Sequence, residues 1–222
     1  MISLVMTTYN GLKYISEQLE SIKNQTVLPD EVLIYDDRST DGTYEYVQEY
    51  IQTNKLDKWN VVRNKENKGY SLNFSDAMKE SHGDIVFLCD QDDIWMDDKV
   101  EKCVAYMNEK NIDLVVTDKQ IIDENDNVTC SSVRKHSNKN YDNWNTYDDI
   151  TKYNIFVTYA VGMSIIMKAS FAKKSLPFSK YTGHDKWVLA CTSTEGKVGY
   201  LNLPLVQYRR HGKNVSGVLV GI

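Results

Sequence analysis

The chain has 222 residues, 41% of them hydrophobic and 26% charged, with only three prolines and eleven glycines. That balance suits a folded globular protein and argues against long disordered linkers. The net charge of −5 gives no electrostatic reason to expect nucleic acid as a partner. The longest apolar stretch, Ile155 to Met167, has 13 residues, whereas a membrane-spanning helix needs about 20. The four cysteines, Cys89, Cys103, Cys130 and Cys191, show no Cys-x-x-Cys spacing. Reduced thiols in a cytoplasmic protein are the expectation, and zinc is not.

Taken in order, strand and helix signals alternate. Ile2–Met6 is a short apolar run, too short for a signal peptide, broken by Thr7-Thr8-Tyr9-Asn10-Gly11. Tyr14, Ile15, Leu19 and Ile22 follow at helical spacing. Glu31–Tyr35 predicts a second strand, ending in Asp36-Asp37, and Tyr44, Val47, Tyr50 and Ile51 a second helix. Trp59–Arg63 predicts a third strand, and Leu72, Ala77 and Met78 a helix closed by His82-Gly83. Ile85–Cys89 predicts a fourth strand, followed by Asp90-Gln91-Asp92-Asp93 and a helix through Val100, Val104 and Met107. Leu114–Thr117 predicts a fifth strand. This alternation predicts an α/β fold, a mostly parallel sheet with helices on both faces.

After Asp118 the rhythm stops. Residues 119 to about 150 are polar and aperiodic, and read as an ordered excursion with some flexible tips. The last third predicts a strand over Tyr159–Met167, a helix from Ala169, a turn at Gly183-His184-Asp185, a helix to about Thr194, and strands near Val198–Leu201 and Leu205–Tyr208.

Polar clusters fall at strand ends: Thr7-Thr8-Tyr9, Asp36-Asp37, Asp90 to Asp93, and Asp118. In a parallel sheet these ends share one edge, where open α/β folds bind ligands. Each cluster alone could be a helix or turn cap. Acidic oxygens grouped as in Asp90 to Asp93 suit Mg²⁺ or Mn²⁺, which in turn suits a diphosphate.

Met6-Thr7-Thr8-Tyr9-Asn10, Gln25-Thr26, Glu31 to Thr43, Asn67-Lys68-Gly69 and Asp90-Gln91-Asp92-Asp93-Ile94-Trp95 occur in that order. Together they resemble family 2 glycosyltransferases. Gly183-His184-Asp185 and Tyr208 to Gly217 extend the likeness to a rhamnosyltransferase-like branch. The resemblance implies a GT-A fold over residues 1–222 as a single domain, with a nucleotide-sugar and metal-binding half (1–118) and an acceptor-binding half (119–222). It implies that Thr7, Tyr9, Asp37, Asn67, Gly69 and Asp90 meet the donor nucleotide, with Asp37 accepting a bond from a pyrimidine N–H. It places a Mn²⁺ or Mg²⁺ ion on Asp92, with His211 as a metal or phosphate ligand. Asp185 becomes the catalytic base, and Arg209, Arg210 and Lys213 candidates for the diphosphate. Asp185 read alone is a helix N-cap.

The implied activity is an inverting transfer from a UDP- or dTDP-sugar to a hydroxyl of a lipid-linked glycan. It would take place in the cytoplasm, with peripheral contact at the inner face of a bacterial membrane. The chain departs from the pattern at Asn73, where many members carry a basic residue. Two alternatives use the same acids: a non-catalytic nucleotide-sugar binder, and an aspartyl-type phosphotransferase with a nucleophilic first Asp. A dehydrogenase is disfavoured, because the turn after the first strand lacks Gly-x-Gly-x-x-Gly.

Overall fold

The computed structural model describes residues 1–136, 150–151, 160–179, 181–212 and 214. Four parallel strands form its first half: β1 (Ile2–Thr8), β2 (Glu31–Asp36), β3 (Trp59–Arg63) and β4 (Ile85–Cys89). They lie in the order β3-β2-β1-β4. The chain therefore builds outward from β1 and then returns to lay β4 on its other side. Right-handed crossovers put the intervening helices on opposite faces when the direction reverses. Accordingly α1 (Ile15–Lys23) and α2 (Thr43–Thr53) cover one face, and α3 (Tyr70–Lys79) covers the other.

Alternation along each strand feeds both layers. Leu4, Met6, Phe87 and Cys89 pack with Ile15, Leu19 and Ile22 of α1. Val5, Val86 and Leu88 pack with Phe74, Ala77 and Met78 of α3. Every one of these side chains is fully buried, and each aliphatic one contributes about 1.5–3 kcal/mol on leaving water.

The second half departs from the expected pattern. A two-residue strand, β5 (Ile94–Trp95), precedes α4 (Lys99–Lys110); it is too short to leave a period. The fifth predicted strand does not stop at Thr117. As β6 (Leu114–Ile122) it runs on, and turns through Asp123–Asn127 into β7 (Val128–Cys130) and the short α5 (Val133–His136). Residues 119–136 are thus ordered structure; 137–149 lie outside the described residues. A 3₁₀ turn over Gly162–Ser164 leads into β8 (Ile165–Lys168), antiparallel to both β4 and β6. The helices α6 (Ala169–Lys174) and α7 (His184–Glu195) follow.

The two predicted C-terminal strands are one, β9 (Val198–Arg209). Pro204 interrupts its pattern, and the ladder to β6 shifts register there. A strand proline has no N–H to donate and is accommodated at such irregularities. The full order is β3-β2-β1-β4-β8-β6-β9-β5, with β7 on β6. Among the described residues no helix is long and apolar enough to cross a membrane.

Candidate active site

The strand order reverses between β1 and β4, and open α/β sheets bind ligands at such a crevice. A cavity of about 1100 Å³ opens there. Thr7, Tyr9, Asp37, Asn67, Gly69, Asp90, Asp92, Asp185 and His211 all line it. Residues far apart in the chain are brought to one place because they share the carboxyl edge of the sheet.

Asp37 follows β2 and is buried. Its carboxylate accepts the backbone N–H groups of Lys68 and Gly69 (2.8 Å each) and the Asn64 amide (2.9 Å). Asn67 donates to the Asp37 carbonyl at 3.1 Å. Gly69 sits at φ +80, a conformation side chains resist. The Asn67-Lys68-Gly69 turn is therefore shaped around Asp37. Asp36 is a structural residue, taking bonds from Thr8 Oγ1 and the Ser39 N–H.

Tyr9 is 49% exposed at the mouth. Its backbone is held on both sides by the Gln91 side chain, which accepts from the Tyr9 N–H (2.8 Å) and donates to its carbonyl (3.0 Å). A Cβ on Gly11 would lie 2.2 Å from Gln91 Oε1, so only glycine leaves room for this bridge. Nothing in the sequence pattern singles Gln91 out.

Asp90 is half-buried beside two other acids. Burial first, then the charges of Asp92 and Asp185, push its pKa up to about 7. The Met163 N–H and the Lys99 ammonium oppose that rise. Lys99 is fully buried, donates to the Met163 carbonyl, and lies 4.0 Å from the Trp95 ring centre. Burial lowers its own pKa to about 8. Nothing in the sequence pattern marks this buried cation beside the acids.

Asp92 Oδ2 lies 2.8 Å from His211 Nε2. Mg²⁺ binds oxygen at about 2.0–2.1 Å, so neighbouring ligand atoms of an octahedral ion are about 3 Å apart. The two side chains fit adjacent corners of such a shell. No group of three or more His, Cys, Asp or Glu residues forms a full cage among the described residues. A two-ligand protein site completed by phosphate oxygens and water is the usual Mg²⁺ arrangement.

Asp93 stands apart. Fully buried, it accepts the Arg209 N–H at 3.0 Å, and burial together with Asp92 and Asp90 raises its pKa well above the carboxylate range. It ties the acidic turn to the end of β9.

Asp185 is in the first turn of α7, whose N-cap is Gly183, so it is not the N-cap residue expected from its spacing. Its carboxylate faces the cavity near Asp90. His184 beside it is buried against Phe74, ring centres 4.2 Å apart, and Phe178. Burial lowers its pKa to about 4.

Two expected site residues lie elsewhere. Arg209 is 1% exposed and does not line the cavity. Its guanidinium donates to the Asp92 carbonyl at 2.9 Å and pairs with Asp126 and Glu17, over the Tyr14 ring. Arg210 is exposed outside the cavity. Lys213 is outside the described residues. Asp118 sits within β6, accepting from Ser132 Oγ and the Arg134 N–H at the start of α5. The lysines that line the cavity are Lys13 and Lys186.

The sequence profile described as Glycosyl transferase family 2 matches residues 3–173. The chain belongs to glycosyl transferase family 2. It is 28% identical over 215 residues to an uncharacterised glycosyltransferase of Methanocaldococcus jannaschii, covering 94% of this chain and 70% of that protein. It is 30% identical to an uncharacterised glycosyltransferase of Haemophilus influenzae, covering 98% and 68%. A putative teichuronic acid biosynthesis glycosyltransferase of Bacillus subtilis is 32% identical over half of this chain and 43% of its own length.

Among solved structures, Staphylococcus aureus TarS (residues 1–349) with UDP-GlcNAc superimposes with a TM-score of 0.75 at 18% identity, over 96% of this chain and 59% of that one. The Pyrobaculum calidifontis mannosyltransferase with GDP-Man and Mn²⁺ gives 0.71 at 20% identity, over 91% and 54%. The family 2 chain thus has the GT-A fold, and spans about three fifths or less of these structural relatives.

Proposed function

We propose that this family 2 protein is an inverting, metal-dependent glycosyltransferase that moves a sugar from a UDP- or dTDP-sugar to a hydroxyl of a bacterial surface glycan precursor. The observation that carries the reading is the convergence of Asp37, Asp90, Asp92 and Asp185 on one cavity at the switch point of the sheet. Asp37 and the turn it shapes form the nucleotide end, with Thr7 and Tyr9 beside the base. Asp92 and His211 would hold Mn²⁺ or Mg²⁺, and Asp90 lies next to them. When bound, the ion supplies charge neutralisation to the departing diphosphate. The mannosyltransferase relative, whose structure is described with GDP-Man and Mn²⁺, supports that part of the reading.

Asp185 takes the proton from the acceptor hydroxyl as that oxygen attacks the anomeric carbon. The bond to the nucleoside diphosphate breaks, and configuration inverts. The transition state is oxocarbenium-like, and no second protein acid is required. Residues 1–118 form the donor side, and residues 119–222 the acceptor side around Gly183 to Lys186, with His211 reaching back to the metal. A lipid-linked acceptor at the inner face of the plasma membrane, and dTDP-rhamnose as donor, follow from the resemblance alone.

The test is Asp185→Asn. Transfer falls by at least about a hundredfold, the low end of what a general base contributes, while UDP affinity by calorimetry stays within about twofold. Near-parent turnover in this variant would remove Asp185 as the base.

A further inference from the structure

The Asp92–His211 contact does not stand alone: Asn214 and Tyr14 both touch His211, and Arg209 backs Tyr14. His211 follows the last residues of β9, where a free chain end would leave its ring to rotate. Asn214 closes that chain into a turn. Its amide oxygen accepts the His211 N–H at 2.7 Å, and its Nδ2 donates to the Arg209 carbonyl at 3.1 Å. The same Nδ2 lies 3.5 Å from Asp92 Oδ2 and 3.4 Å from His211 Nε2, so it borders both candidate ligand atoms.

From the other side, Tyr14 at the start of α1 stacks on the imidazole with ring centres 4.9 Å apart and planes 27° from parallel. The Tyr14 ring is fixed in its turn by the buried Arg209 guanidinium, 4.6 Å from its centre. Tyr14 is 8% exposed, so its face is committed to this packing.

We propose that Asn214 and Tyr14 are positioning residues that preassemble the metal half-site. Asn214 sets the reach of His211 toward Asp92, and Tyr14 fixes the plane of its ring. The inference rests on the reading above that Asp92 and His211 hold the ion. A metal site with only two protein ligands gains most from such support, because a ligand free to rotate must be ordered each time the ion binds.

The experiment is a Mn²⁺ titration of the full chain with saturating UDP, free Mn²⁺ being read by electron paramagnetic resonance, on the parent and on His211→Ala, Asn214→Ala, Asn214→Asp, Tyr14→Phe and Tyr14→Leu. Melting temperature is measured on each without metal. Replacing groups that orient metal ligands weakens metal binding by about 10–100-fold. Asn214→Ala and Tyr14→Leu are expected to show that loss, with UDP affinity in chelator unchanged. Tyr14→Phe keeps the ring and parent affinity. Asn214→Asp keeps the acceptor for the His211 N–H but loses the donor to the Arg209 carbonyl, and falls between.

Parent-like Mn²⁺ affinity in Asn214→Ala and Tyr14→Leu, with His211→Ala impaired, overturns the positioning roles while leaving the metal site intact. Parent-like affinity in His211→Ala, or no Mn²⁺ binding by the parent, overturns the metal assignment and this inference with it. A loss in the Asn214 or Tyr14 variants matched by an equal loss of UDP affinity in chelator would mark a folding defect and count against the proposal.

Discussion

Among the described residues His184 has no hydrogen-bond partner on either ring nitrogen, and it is stacked among aromatic rings, an uncommon place for an imidazole. Its folded pKa of about 4 lies below the ordinary value of 6.5, so between those values the unfolded chain holds more protons. Stability from this residue is present above pH 6.5 and drains as pH falls toward 4, with a slope of at most about 1.4 kcal/mol per pH unit. Urea unfolding at pH 7 and pH 5 should show a larger loss in the parent than in His184→Phe. Equal losses would mean the ring reaches water.

Gly162 lies against the same ring: a Cβ there would sit 2.4 Å from His184 Nε2. Gly162→Ala should cost about 1–3 kcal/mol, the usual penalty of overpacking, read from the same urea midpoints. Gly162 was not legible as special in the sequence, and His184 stood out only as part of Gly183-His184-Asp185, because their packing is a mutual close approach of two distant segments. The position of Asp37, Asp90 and Asp92 was legible because each follows an apolar run that fixes where it emerges, whereas Asp185 was pointed to by the family resemblance alone. Arg209 was misread because a basic residue at a strand end looks the same whether it faces the cavity or turns beneath it.

At the scale of elements, α3 shows how a departure from the family pattern is absorbed. Asn73 stands where many members carry a cation, yet it is fully buried. Its amide donates to the Tyr35 carbonyl of β2 (2.7 Å) and accepts from Asn64 (2.8 Å), linking helix, strand and nucleotide-side turn. Asn73→Ala takes one bond from each partner, leaving the Asn64 amide only its bond to Asp37, at on the order of 1–3 kcal/mol for each bond lost. The expected result is a clear drop in the urea midpoint together with weaker UDP binding, since Asn64 also holds Asp37. Loss of stability with unchanged UDP affinity would show the turn to be independent of α3.

Of the parallel strands, β1, β2 and β4 were readable because each is a short apolar run largely buried on both faces, whereas β3 is a half-exposed edge strand. β5, the continuation of β6 past Thr117 and the continuity of β9 were not, since β5 is two residues long and β9 contains Pro204, so their pairing is decided by neighbours rather than by local pattern.

For the whole molecule, mass action sets the expected response to ligands. UDP or dTDP with Mn²⁺ at a hundredfold excess over Kd stabilises the native state by about 2.7 kcal/mol. For a chain of this size that corresponds to about 5–10 °C in Tm. Chelator should remove most of the shift, and GDP and ADP should give little. An equal response to all four nucleotides would count against the proposed base selectivity of Asp37.

The pairing of Asp92 with His211 spans 119 residues, and this has a bearing on how the protein comes off the ribosome. Domains tend to fold as units as synthesis proceeds from the N-terminus. Here β1 to β4 can pair while the rest is still being made, so the nucleotide-side pocket can form early. The proposed cation-binding corner cannot exist until β9 has docked between β6 and β5 and the chain beyond it has emerged. A nascent chain stalled before Val198 would present β6 with an open apolar edge, a surface suited to chaperone capture or aggregation. The order of synthesis thus leaves the proposed cation-binding corner unbuilt until His211 has emerged.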